Sequence, residues 1–188
     1  MDIIRCGWVT QEQIYIDYHD KEWGIAKYDD ASLFELLMLE GMQAGLSWIT
    51  ILKKRDNYRR CFDNFDPQKI ALYDDKKVNE LLLNPGIVRH RLKIEAIIKN
   101  TQAYLRILKE FASFSDYIWQ FVGGKPINNN WISIQQIPAQ TMASDMMAKD
   151  LKKRGFKFVG SKICYAFMQA SGMVNDHTTR CFCNKPSS

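Results

Sequence analysis

A chain of 188 residues, 46% hydrophobic and 25% charged, is long enough for one full core, which excludes a disordered or low-complexity protein. Its 10 Gly and 5 Pro are too few for a turn-rich all-β fold. A net charge of +5 leaves a polyanion partner open without requiring one, and no apolar run approaches the ~18 residues of a membrane span.

The opening MDIIRCGWVTQEQ has neither the apolar stretch nor the cleavage site of a signal peptide, so a cytoplasmic protein is expected, with its five Cys as thiols or metal ligands. Ser32 and Glu35 have the spacing of a capping box opening the helix LFELLMLEGM. Gly45 interrupts, and Ser47 can cap a second helix through WITILKKRDNYRRCF. Asp66-Pro67 marks the next start, and a short helix follows Asp74 or Asp75 and ends before Asn84-Pro85-Gly86. A long helix covers about Val88 to Lys109, with apolar residues at helical spacing. Ser115 opens a helix stopped by Gly123-Gly124, and residues 124–143 read as a loop. Ser144 and Ser161 start the last two helices, closed by Gly155 and Gly172. No pair of strands stands out, so the prediction is one irregular all-α domain over 1–188.

Four features carry chemistry. Cys6 and His19 lie near one end of the chain, and His177 and Cys181 near the other. Two thiolates and two imidazoles compose a closed tetrahedral zinc shell that would fasten the ends together, with Cys183 able to compete for the place of Cys181. Against this stands the plainer reading of two buried Cys and two surface His. The stretch LLLNPGIVRHRLKIEAII reads as helix, tight turn and helix. Its turn amides and the next helix N-terminus can form an anion site at Gly86, flanked by Arg89 and Arg91; an ordinary structural turn needs the same residues. Basic clusters at 53–60, 89–93 and 149–157 are either solvated helix faces or a phosphate-tracking surface. Lastly, Trp8, Tyr15, Tyr18, Trp23 and Trp48 flank a lone acid, Glu40, late in an apolar helix. Aromatic faces with one carboxylate suit a flat, cationic or amino-bearing heterocycle, and they equally suit a core with Glu40 at a helix edge.

Taken together, RCGWV at 5–9, Tyr18-His19-Asp20 with Glu22-Trp23-Gly24, LEGMQAGLSWITILKKR at 39–55, the NPGIVRHRLKIEAI hairpin, LKKRGFKFVG, ICYAFMQASG and Asn175-Asp176-His177 resemble one family. It is the 3-methyladenine DNA glycosylase I family, base-excision repair enzymes of the helix-hairpin-helix type. The resemblance runs from about residue 5 to 183. It implies an all-helical fold, a structural zinc on Cys6, His19, His177 and Cys181, and double-stranded DNA containing 3-methyladenine as the partner of a monomeric enzyme. It further implies that Glu40 and Tyr18 read the flipped base, that Trp48 stacks on it and that Trp8, Tyr15 and Trp23 line the pocket. Gly45 and Leu46 would wedge into the gap left in the DNA stack. The wider superfamily commonly places an Asp after the hairpin, whereas here none occurs between Gly86 and Asp116. A base methylated at N3 is cationic and leaves readily, so holding it beside Glu40 away from water can suffice. A non-catalytic DNA-binding module would have no need of Glu40 and Trp48. A hydrolytic metal site would need an open coordination position, and four protein ligands leave none.

Overall fold

The computed structural model describes residues 3–184. Within them run nine α-helices: α1 (Gln13–Lys21), α2 (Asp30–Gln43), α3 (Trp48–Cys61), α4 (Pro67–Ile70), α5 (Asp75–Leu83), α6 (Arg91–Glu110), α7 (Phe114–Trp119), α8 (Met142–Lys153) and α9 (Ser161–Ala170). The all-helical class expected from the sequence holds. One exception is a two-residue parallel pair, β1 (Ile127–Asn128) with β2 (Val174–Asn175), in the register Ile127 to Val174. Strands of that length have no period for a sequence to display.

Helix α2 is the axis of the domain. It packs against α3, α6, α7 and α9 and buries every residue from Leu36 to Met42. A helix apolar on all sides belongs in a core, and each buried Leu or Phe contributes about 1.5–3 kcal/mol. Glu40 is carried into that core by its neighbours. The amphipathic α6 closes one side, burying Ile94, Ile97, Tyr104 and Ile107.

Several starts lie a few residues from where the sequence places them. Asp29, not Ser32, caps α2, its carboxylate accepting from Ser32 N at 2.8 Å. Glu35, the expected partner in the box, instead pairs with Arg59 of α3 at 2.7 Å. An Asp satisfies the same amide and also places negative charge at the positive end of the helix. In α8 the cap is Thr141, with Ser144 at the third helical position completing a reciprocal box. Helix α7 begins on Ser113 rather than Ser115. The long helix starts at Arg91, because residues 84–90 are used as the connection from α5. Asp66 and Asp74 cap as expected.

One close approach holds the segment between α1 and α2 in place. Gly172 ends α9 at φ +72°, and a Cβ there would lie 2.3 Å from the backbone of Ile25 and Ala26. Lys27 N donates to Ser171 O at 3.0 Å beside it. Only glycine permits both the left-handed turn and this contact.

Candidate active site

A cleft of about 340 Å³ opens between α1, the C-terminal half of α2, the start of α3, α9 and the 134–138 loop. Its walls include Trp8, Tyr15, Tyr18, Trp23, Glu40 and Trp48, the whole set singled out in the sequence. The rings form a connected surface: Trp8 meets Tyr15 and Trp23 at 5.0 Å each, and Tyr18 meets Trp48 at 5.5 Å. Such tilted and edge contacts hold faces open for a flat guest while fixing the ring positions.

Glu40 is only 2% exposed. Burial alone pushes its carboxyl up to about 8, so with no positive charge beside it the group is mostly protonated at neutral pH. Its Oε2 and the indole Nε1 of Trp48 are the buried polar side-chain atoms without a partner among the described residues. A buried orphan costs about 1–3 kcal/mol, and two of them on residues that line one cleft make it a candidate ligand site. Burial followed by the Glu40 charge also holds the Tyr18 and Tyr15 hydroxyls above the usual phenol range.

Sequence reasoning missed half of the cleft. Gln43, Ile134, Ile137, Pro138, Ala166 and Gln169 complete its lining. Ile134 to Pro138 come from a stretch read as loop, and Ala166 and Gln169 from a helix to which the sequence reading gave no site residue. Gln169 donates its Nε2 to Asp176 at 2.8 Å. Asp176, completely buried, also accepts from Tyr165 Oη at 2.7 Å, Asn129 Nδ2 at 2.7 Å and Trp131 Nε1 at 2.8 Å. The sequence held this residue only as part of a matching string.

The turn after α2 sits at the rim of the cleft. Ala44 at φ −45°, ψ 115° and Gly45 at φ +77° form a type II turn closed by Leu46 N to Gln43 O at 2.6 Å. The turn exposes Leu46. Its base is held by Lys93, expected in the sequence to be part of a basic cluster. Lys93 is buried, and its Nζ donates to Met42 O at 2.8 Å and Ala44 O at 2.6 Å, satisfying carbonyls at the end of α2. Burial lowers its pKa.

The connection between α5 and α6 is tighter than an open anion cradle. Gly86 N donates to the Asn84 side chain at 2.8 Å and Val88 N to Tyr58 Oη at 3.1 Å. The amides of Arg89, Arg91 and Leu92 have no partner among the described residues. Arg89 is exposed; Arg91 pairs with Glu95 at 3.4 Å and with Asn79. Elsewhere several of the clustered arginines are engaged within the fold. Arg55 is bidentate to Glu22, Arg59 pairs with Glu35, and Arg154 joins Asp150 and Glu110 while lying over Phe111 and Tyr117.

Behind the aromatic wall, Cys6, His19, His177 and Cys181 meet, all buried, their ligand atoms within 4.8 Å of one another. Cys181 Sγ lies 3.4 Å from His19 Nε2 and 3.5 Å from His177 Nδ1, and Cys6 Sγ lies 3.5 Å from His177 Nδ1. The edge between a sulfur and a nitrogen ligand around a tetrahedral zinc is about 3.6 Å. The outer nitrogens are engaged as metal ligands require. His19 Nδ1 donates to Asp20 at 2.7 Å, itself held by Arg5, and His177 Nε2 donates to Trp23 O at 3.2 Å. That leaves the other ring nitrogens to face the thiols. The cluster can therefore hold a metal ion. Trp23 packs edge-on against His177 at 4.6 Å and Trp8 against His19 at 5.2 Å, so this centre braces the wall of the cleft.

An all-helical domain with an aromatic cleft, a buried carboxyl with an unpartnered oxygen and an exposed leucine turn at its rim has the form of a candidate site for a flat, amino-bearing ring. Comparison with known proteins agrees: the family model of the methyladenine glycosylases matches residues 8–184. The chain belongs to that family. It is 54% identical over 185 residues to DNA-3-methyladenine glycosylase 1 of Escherichia coli (strain K12), covering 97% of this chain and 99% of that protein. A crystal structure of 3-methyladenine DNA glycosylase I superimposes with a TM-score of 0.95 at 56% identity, covering 97% of this chain and all of that one. A second, at 36% identity and TM-score 0.95, covers 98% and 99% of the two chains and is a complex with 3-methyladenine.

Proposed function

We propose that this chain is a monofunctional DNA glycosylase. It turns an N3-methylated adenine out of duplex DNA into the cleft and hydrolyses its glycosidic bond, leaving an abasic site. The observation that carries this reading is Glu40, a buried carboxyl with an unpartnered oxygen inside an aromatic cleft. The damaged base is cationic and carries an exocyclic amine. Its entry supplies the charge that Glu40 lacks, draws the carboxyl toward its ionised form and offers it N–H donors. Tyr18 adds a polar contact, Trp48 stacks on the ring, and Trp8, Tyr15 and Trp23 enclose it. An unmodified adenine brings no charge to offset and is a poor leaving group.

The chemistry asks little of the protein. The bond from C1′ to the base breaks, its electron pair neutralises the cationic ring, and 3-methyladenine leaves without needing a proton. Water adds to C1′ and releases its proton. No Lys is among the residues lining the cleft, and Lys93 nearby is bonded to two carbonyls. The expected product is thus an intact strand with an abasic site.

On the DNA side, Leu46 on the Gly45 turn fills the gap in the stack. Arg89 and the free amides at the start of α6 hold phosphate, Gly86 keeps the connection compact, and Arg91 contributes once it releases Glu95. This is the role of a helix-hairpin-helix grip. The four-residue cluster is read as a structural zinc site: the sulfur and nitrogen spacing fits, the donors suit zinc, and no open position remains. When bound, the ion supplies no reaction chemistry; it ties the ends of the chain together behind Trp8 and Trp23. The working unit is read as one domain over 1–188, acting as a cytoplasmic monomer. No helix among the described residues is long and apolar enough to cross a membrane. Incubation with methylated duplex DNA, followed by chromatography of the freed bases, tests the reading. 3-Methyladenine should appear, and adenine should not.

A further inference from the structure

We infer that Gln169 is a specificity-determining residue of the cleft, presenting its side-chain oxygen to the amino edge of the bound base, with Asp176 as the positioning residue that fixes this polarity. The inference deepens the glycosylase reading and rests on it.

The argument starts at Asp176. A carboxylate surrounded by four donors, from Tyr165, Asn129, Trp131 and Gln169, acts only as an acceptor. The group that Gln169 turns toward it must therefore be the NH2 end of the amide, at 2.8 Å. This settles an assignment that the shape of an amide alone leaves ambiguous. The other end, Oε1, has no partner among the described residues, and it is not one of the two buried orphan atoms. It is therefore open to solvent, on a residue that lines the cleft.

The consequence is chemical. The amide cannot exchange its two ends without turning its oxygen onto a buried carboxylate. An oxygen held this way accepts from an N–H of the guest and repels a carbonyl in the same place. A purine with an amine at C6 is accepted, and one with an oxygen at C6 meets an uncompensated acceptor. Glu40 lacks this rigidity: protonated, it can either donate or accept, so it does not by itself reject the oxygen. Discrimination built on leaving a polar group unpaired is stronger than discrimination by shape.

The test measures binding of free 3-methyladenine and free 3-methylhypoxanthine, which carries oxygen at C6, by quenching of tryptophan fluorescence. Wild type, Gln169→Met and Asp176→Asn are compared in the metal-loaded protein. Gln169→Met keeps the length of the side chain and removes the acceptor. It should weaken 3-methyladenine about tenfold, the size of one net hydrogen bond, and leave 3-methylhypoxanthine unchanged or tighter, so the preference shrinks. Asp176→Asn keeps Gln169 but frees its amide to turn, and should shrink the preference in the same direction. If Asp176→Asn does not fold, Gln169→Met still decides. A wild type that prefers 3-methyladenine, with Gln169→Met preferring it equally, overturns the assignment to Gln169 and leaves the glycosylase reading standing. A wild type that binds neither base overturns both.

Discussion

Replacing Glu40 by Gln should give a more stable protein at alkaline pH and a poorer enzyme. In the fold, the Glu40 carboxyl keeps its proton up to about pH 8, against an ordinary value of 4.5. Unfolding between those values releases that proton, so stability falls as pH rises through the interval and the loss is complete above about pH 8. Full burial would make that loss about 5 kcal/mol, and water reaching the open cleft reduces it to about 2–3 kcal/mol. Gln has the same shape and no proton to lose. At about 2–4 °C per kcal/mol for a chain of this size, Glu40→Gln should melt roughly 5–10 °C higher than wild type near pH 8. Near pH 5, just above the ordinary carboxyl value, less than about 1 kcal/mol of the loss has accumulated, so the two should melt close together. Calorimetry of metal-loaded wild type and variant at the two pH values measures this. The difference between the proteins cancels the titration of His and Cys. A variant less stable near pH 8, or a gap independent of pH, would refute the claim that Glu40 is held desolvated for the sake of the cleft.

Further outcomes follow from the rest of the molecule. The purified protein should hold about one zinc per chain; Cys6→Ser should lose it and melt at least ~10 °C lower, while Cys61→Ser keeps it, as elemental analysis and melting will show. Arg89→Ala should weaken binding to any duplex and lower the salt dependence by about one counterion, with Arg91→Ala weaker in effect because Glu95 and Asn79 already engage that side chain. Gly172→Ala forces a Cβ into the backbone of Ile25 and Ala26 and should destabilise by about 3 kcal/mol or more in denaturant titration, without changing which base is bound.

The sequence showed the aromatic and acidic half of the cleft because aromatic residues and a lone acid in an apolar helix are unusual wherever they occur. The four metal-site residues were equally visible, since His and Cys are scarce here and cluster near the chain ends. What stayed hidden depends on tertiary contacts. Gln169 and Ala166 sit on a helix whose apolar neighbours read as core, and only the packing of α9 on α2 turns them to the cleft. Ile134 to Pro138 come from a single 3-10 turn and the two residues after it, too short to show a period. Charge was the least legible feature. Lys93, Arg55, Arg59 and Arg154 read as parts of solvated helix faces or of a surface for phosphate, yet each is committed to a carbonyl or a carboxylate within the fold. A basic cluster in sequence does not show where its partners are.

The central claim is that the carboxyl of Glu40 acts on the damaged base rather than on the fold. Single-turnover release of 3-methyladenine from methylated duplex, by wild type and Glu40→Gln at equal saturation, tests it most directly. The account expects release by the variant to be slower by roughly tenfold to a hundredfold, the size of one charge-assisted hydrogen bond, with binding to unmethylated duplex unchanged. Equal rates of release in the two proteins would contradict it.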